Sequence, residues 1–227
     1  MLESLGFGLI LTLLVWSLAG RVRQWTGITL LDPVLLSVAT IIGLLLLFDI
    51  PYEQYEAGGR VISFFLGPAV VALAVPFYRQ LGQVRQELPA IAGSVFVGAV
   101  VGIVSASGVV YLLGGSVESV VSVAPKSVTT PIAMELSAIL EGTPPLTIAI
   151  VIVTGILGGM MAPELIRILG IRDDVAQGLA IGTAAHGIGT ARALRDSGRK
   201  GAMSGIGMTL NGLFTTVILA LVAWFLR

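Results

Sequence analysis

Six apolar runs mark the chain, at residues 5–19, 33–48, 61–77, 90–113, 144–169 and 202–226. A helix needs roughly 20 apolar residues to cross a bilayer, so these runs predict membrane spans, the first of them short. Asp32-Pro33 opens the second run, with Asp as cap and Pro at the first helical position. The third holds Gly67-Pro68 and Pro76 and is expected to kink or break. Gly98 and Gly102 put a small-residue packing seam on the fourth. Thr143-Pro144-Pro145 starts the fifth, which contains Gly155, Gly158 and Gly159, and the sixth holds Asn211, the only asparagine. Between the runs lie an acidic loop with Asp49, Glu53 and Glu56 and a polar loop at 78–89 with Arg79 and Arg85. A turn at Arg172-Asp173-Asp174 follows the fifth run, and its acidic pair can cap the next helix.

Two further segments, 117–140 and 177–196, break this pattern in the same way. Shifted by 60 positions without a gap, Lys126 falls on His186, Val128 on Ile188, Thr130 on Thr190 and Ala133 on Ala193. Each has a basic residue, a short Ser/Thr/Gly run that need not be helical, and a Thr able to cap a new helix. Thr130 before Pro131 is the stronger start, Thr190 before Ala191 the weaker. These segments read as broken helices whose N-terminal ends lie at mid-depth. In lipid, broken backbone survives only where protein or a wet cavity covers it. A helix N-terminus carries free N–H donors and partial positive charge, so it suits an anion. The candidate anion site therefore comprises Lys126, Ser127, Thr129, Thr130, His186, Gly187, Gly189, Thr190 and Arg192.

Several of these residues admit a second reading. Lys126 marks a site if it lies at membrane depth, and is incidental if it snorkels from an outer loop. His186 suits a proton relay or anion donor, or else a structural ring bonded to a carbonyl in a tight turn. Arg192 opposes the helix dipole unless an anion is present, but it also fits the rule that cytoplasmic loops are basic. The hydroxyls can serve a ligand, the broken backbone, or both.

Composition narrows the class. The 227 residues are 56% hydrophobic and 11% charged, against about 25% charge in a soluble domain. Net charge is zero and there is no basic tail, which argues against nucleic acid as a partner. With no cysteine and one histidine, disulfides, thiolate metal sites and Cys nucleophiles are excluded, and no cofactor is implied. No phosphate loop or Gly-x-Ser-x-Gly elbow is present, so an enzyme ranks last.

The expected fold is an all-α polytopic membrane protein, a single integral membrane domain over residues 1–227. About six full transmembrane helices plus two broken or re-entrant helices form an inverted repeat, with units near 90–141 and 146–200. The basic residues favour re-entrant segments over full crossings. Both termini then lie outside, and Arg21, Arg23, Arg79, Arg85, Arg167, Arg172 and the Arg192–Lys200 cluster face the cytoplasm. Charge after the first run, not before it, indicates a retained anchor.

Four stretches carry a resemblance. They are Gly67-Pro68-Ala69-Val70-Val71-Ala72-Leu73-Ala74-Val75-Pro76, Ser127-Val128-Thr129-Thr130-Pro131-Ile132-Ala133-Met134, Gly158-Gly159 with Pro163, and Gly182-Thr183-Ala184-Ala185-His186-Gly187-Ile188-Gly189-Thr190-Ala191. They resemble the LrgB/CidB family and the C-terminal half of the plant plastidal glycolate/glycerate translocator. The resemblance implies a multi-pass protein of the bacterial inner (cytoplasmic) membrane with an LrgA/CidA-type small membrane partner. The plant member implies transport of small carboxylates such as glycolate, glycerate, pyruvate or lactate, with proton coupling open. The bacterial members imply, as the alternative, an antiholin-like subunit modulating murein hydrolase export and autolysis. The expected partners are a small carboxylate anion, the lipid bilayer and a second copy of the chain in a dimer.

Overall fold

The computed structural model of the chain describes residues 2–27, 31, 33–65, 68, 78 and 87–226. Among these residues every regular element is a helix. Four helices are long and apolar enough to cross a membrane: Gly6–Thr26, Leu88–Leu112, Pro144–Ile168 and Gly198–Phe225. Large apolar side chains such as Val104, Leu157 and Leu221 stay exposed on them, which a bilayer tolerates and water does not. The protein is a helical membrane protein. Its chain divides into two compact units, Met1–Leu73 and Ala74–Arg227.

The first unit comprises α1 (Leu2–Thr26), α2 (Pro33–Leu47) and α3 (Tyr52–Phe64), with α1 packed on the other two. Two expectations change here. The first helix does not end near Ala19 but continues through Arg21 and Arg23, because long basic stems lie along a helix while their heads reach water. The acidic stretch is not a loop, since Glu53 and Glu56 belong to α3, which starts at Tyr52 and not at Val61. Glu53 in the first turn suits the helix dipole, and Glu56 pairs with Arg60 at 3.1 Å, one turn on. Packing decides the rest: a Cβ on Gly8 would overlap the Tyr55 carbonyl, and Thr12 Oγ1 meets Tyr55 Oη at 3.0 Å. The expected cap at Asp32, the break between Gly67 and Pro76, and Arg79 and Arg85 in the basic loop lie outside the described residues.

The second unit comprises α4 (Leu88–Leu112), α5 (Val117–Val123), α6 (Thr130–Ile139), α7 (Pro144–Ile168), α8 (Asp174–Asp196) and α9 (Gly198–Leu226). Gly114 and Gly170, both at positive φ, close α4 and α7. The next residue's N–H returns to a carbonyl five positions back, Gly115 to Val110 and Ile171 to Ile166.

The segment after α4 is a hairpin. Pro125 cannot continue α5 because it has no N–H to donate, so the chain turns through residues 124–129. It then runs back as α6. The two ends of the hairpin meet at one level: Thr143 Oγ1 donates to Glu118, and Thr143 N–H donates to Ser122 Oγ at 2.7 Å. Thr147 Oγ1 lies 2.9 Å from the Ser122 carbonyl and 2.7 Å from Ser137 Oγ. Helix α7 thus begins beside the start of α5 and runs parallel to it.

Helix α8 does the same. It is two limbs joined at His186, whose φ of 41° and ψ of −134° are not helical. Ser197 Oγ donates to Asp174 Oδ2 at 2.8 Å, so this hairpin also closes at its base. Asp173 caps the first limb, accepting from Ala176 N–H at 2.9 Å, as expected. Helix α9 runs parallel to that limb in close backbone contact: Gly178 faces Met203 and Ser204, and Gly182 faces Ser204 and Met208. This glycine seam, rather than large side chains, sets the tightest packing in the unit.

Candidate functional site

A cavity of 690 Å³ opens between α4 and the first limb of α8. Glu87 and Asp173 stand at one end, the N-terminal ends of the two helices, and Lys126 and Ser127 at the other. Gly102, which faces Ser127 Oγ, lies 15 positions beyond Glu87. That is roughly 22 Å of helix, well over half a hydrocarbon core of roughly 30 Å. The turn of the first hairpin therefore forms the deep end of a passage that begins at the unit's edge.

The walls are mostly apolar. Ile91 and Val95 line one side, Val175 and Leu179 the other. Gly98 and Gly102 matter by their size. A Cβ on Gly98 would come within 2.9 Å of Thr183 Cγ2, and one on Gly102 within 3.7 Å of Ser127 Oγ. The expected packing seam on α4 is thus also a wall of the passage.

Lys126 projects its Nζ to 2.9 Å from Ser127 Oγ. No ion pair engages it among the described residues. An unpaired ammonium among apolar walls favours an anion, since a buried charge is costly without a partner. The lining offers the Lys126 ammonium and the Ser127 hydroxyl at the deep end, the Ser94 and Thr183 hydroxyls along apolar walls, and the Glu87 and Asp173 carboxylates at the mouth. Among the described residues no cluster of His, Asp or Glu could hold a metal ion.

The remaining site candidates lie elsewhere. Thr129, not Thr130, is the N-cap of α6, and its side chain makes no capping bond. Pro131 then falls one position later than expected, and both threonines are half-buried behind the turn. Thr190 is fully buried. Its hydroxyl donates to the His186 carbonyl at 2.8 Å and so accepts from Ser204 Oγ at 2.9 Å; both bonds satisfy the broken helix. Arg192 is paired with Asp196 at 3.5 Å, near the hairpin base, and does not line the cavity. Gly187 and Gly189 sit at the tip of the second hairpin, Gly189 tight against Ile181 and Ala185.

His186 is 4% exposed and its Nε2 lies 3.0 Å from the Val151 carbonyl. Gly155 makes this contact possible, since a Cβ there would come within 2.7 Å of the ring. The ring is thus held by α7 and is not part of the cavity lining. Its backbone angles belong to a region that glycine enters freely and other residues enter at a cost of order 1–3 kcal/mol. Accordingly, His186→Gly should be more stable than His186→Ala by about 1 kcal/mol, although both lose the ring. Thermal melts in detergent will check this; equal melting would mean the turn is not strained.

Sequence reading missed Glu87, Thr183 and Ser204, and left Asn211 without a role. Only Asn211 carried a signal, as an amide inside an apolar run.

Residues 12–225 match the LrgB-like family. The chain belongs to that family. This LrgB-like protein is 37% identical to the uncharacterized protein YwbG of Bacillus subtilis, across 91% of its own length and 92% of the relative's. It is 32% identical to the holin-like protein CidB of Staphylococcus epidermidis over 93% and 92% of the two chains. The same figures hold for the holin-like protein CidB of Staphylococcus aureus. No solved structure matches the chain.

Proposed function

We propose that this LrgB-like protein is a carrier of small monocarboxylates in the bacterial cytoplasmic membrane. The observation that carries the reading is Lys126: an ammonium without a carboxylate partner among the described residues, deep in an apolar-walled cavity. A single charge fits glycolate, lactate, glycerate or pyruvate better than a di- or tricarboxylate. Such a ligand would place its carboxylate at Lys126 and Ser127 and its carbon body against Val95 and Leu179.

The proposal extends to topology. Both hairpins are re-entrant and enter from opposite faces, as in carriers built from inverted repeats. The cavity mouth at Glu87 and Asp173 then faces the cytoplasm, on the side of Arg167, Arg172 and the Arg192–Lys200 cluster. The matching gap on the other face lies between α5 and α7. It is shut by the hydrogen bonds among Glu118, Ser122, Ser137, Thr143 and Thr147. Alternating access would exchange these two conditions, opening the α5–α7 gap while α4 and α8 close.

A second reading is favoured by the names of the relatives, which are holin-like: on it this chain is a holin-like or antiholin-like subunit, and a small membrane partner is part of that proposal. One experiment separates the two. Purified protein in liposomes should take up radiolabelled two- and three-carbon monocarboxylates saturably. Uptake should be competed by other members of the panel, with no leak of larger dyes. A non-selective leak, or no uptake without a partner protein, would favour the holin-like reading. In the same liposomes, a cysteine at Glu87 and one at Thr143 should react with impermeant reagent from opposite sides; reaction from one side ends the topology.

A further inference from the structure

We propose that Asn211 is the residue that positions Lys126 in the cavity, acting through the turn of the first hairpin. The break after α5 frees backbone groups that a continuous helix would satisfy, and each needs another partner. The Ser127 carbonyl is one of them. Asn211, fully buried on α9, donates its Nδ2 to that carbonyl at 2.8 Å. Ser127 in turn accepts the Lys126 ammonium through Oγ at 2.9 Å. A chain of two bonds thus runs from α9 through the turn to the charge that faces the cavity.

Asn211 has no other described task. Its Oδ1 is buried without a hydrogen-bond partner, so the amide is held through Nδ2 alone. A flipped amide would set Oδ1 against the Ser127 carbonyl, acceptor against acceptor, so the orientation is fixed. An amide that is only half satisfied is an expensive way to fill space in an apolar helix. Leucine, of similar size, would serve packing better. Asn211 is therefore placed for its donor.

The test uses the donor as a switch. At position 211 an aspartate donates to the carbonyl only when protonated. The charged and titratable groups on the elements packed against α9 are known. On α4 there is only Tyr111 at the far end, with Glu87 capping its start. On α6 there is the exposed Glu135. On α8 there are His186, bonded to Val151, and Asp174, Arg192, Arg195 and Asp196 toward the base. Lys126 lies beside the turn, and an ionised carboxylate at position 211 would also draw its ammonium away from the cavity, an effect in the same direction.

The chain has no cysteine, so Ser127→Cys provides a reporter at the turn. Its rate of modification by a small methanethiosulfonate is compared between backgrounds at each pH, which cancels the thiol's own ionisation for Asn211→Leu; in Asn211→Asp an ionised carboxylate also disfavours the thiolate and adds to the change at pH 8. In the Asn211→Leu background the rate should change about tenfold at both pH 5.5 and pH 8. In Asn211→Asp it should change at pH 8 and return to the parent value at pH 5.5. An unchanged rate in Asn211→Leu, or the same rate ratio for Asn211→Asp at both pH values, overturns the inference. A second arm rests on the carrier reading: with Ser127 intact, Asn211→Leu should weaken pyruvate, lactate or glycolate binding about tenfold. If the parent protein binds none of these acids, the carrier reading fails, and the cysteine arm still decides the role of Asn211.

Discussion

Replacing Lys126 with Gln should weaken binding of a small monocarboxylate by roughly ten- to a hundredfold, with the protein still inserted and folded. A hydrogen bond to a charged group is worth roughly 1.5–3 kcal/mol, and each 1.4 kcal/mol is about a factor of ten in affinity. Gln is one atom shorter but keeps an N–H donor for Ser127 Oγ, so the main loss is the charge. Arg192→Gln is the companion measurement. The Arg192 side chain is committed to Asp196 and does not line the cavity, so its loss should cost less than about threefold in affinity. Equilibrium binding of a labelled acid reads both. Equal losses would return the site to the shared arrangement that the 60-residue match suggests, with both hairpins contributing charge. No loss in Lys126→Gln would leave the lysine as a structural residue of the turn.

The second large effect concerns stability. A Cβ on Gly182 would overlap the Ser204 carbonyl oxygen, and would come within 2.7 Å of its carbon and 2.9 Å of the Met208 nitrogen. All three are backbone atoms of α9, so no side-chain rotation relieves the clash, and the helices must separate. Overpacking costs about 1–3 kcal/mol, and a backbone clash belongs at the upper end. For a chain of this size, Gly182→Ala should lower the melting temperature in detergent by about 6–10 °C. Gly205 is the control, one position past Ser204 on the same helix, with nothing within 4 Å of its Cβ. Gly205→Ala should melt at or above wild type, since Ala is the better helix former. Equal melting of the two variants would show that the α8–α9 seam is looser than its geometry.

Much of this was legible from residue order alone. Pro125 and the Ser/Thr run after it announce the break in the first hairpin, and the glycines around His186 announce the second. Asp173 reads as a cap and is one. The departures from the sequence reading have separate causes. Arg21 and Arg23 look like a helix end until the helix is seen to carry them through. Glu53 and Glu56 look like a loop because their helix is amphipathic, and only the contact with Gly8 reveals its buried side. Thr190 reads either as a ligand hydroxyl or as support for the broken backbone, and its bonds to the His186 carbonyl and Ser204 are of the second kind. Glu87 and Thr183 line one cavity only because α4 lies along α8. Nothing in their own neighbourhoods says so.

The parallel run of α9 beside the first limb of α8 has a consequence for synthesis. The ribosome makes α9 after both limbs of the second hairpin have emerged. Until then the Gly178–Gly182 face has no partner, the His186 turn lacks Ser204 as support for Thr190, and the Ser127 carbonyl waits for Asn211. One helix of 29 residues therefore completes both hairpin turns, far apart in the chain: Ser204 meets Thr190 at one and Asn211 meets the Ser127 carbonyl at the other.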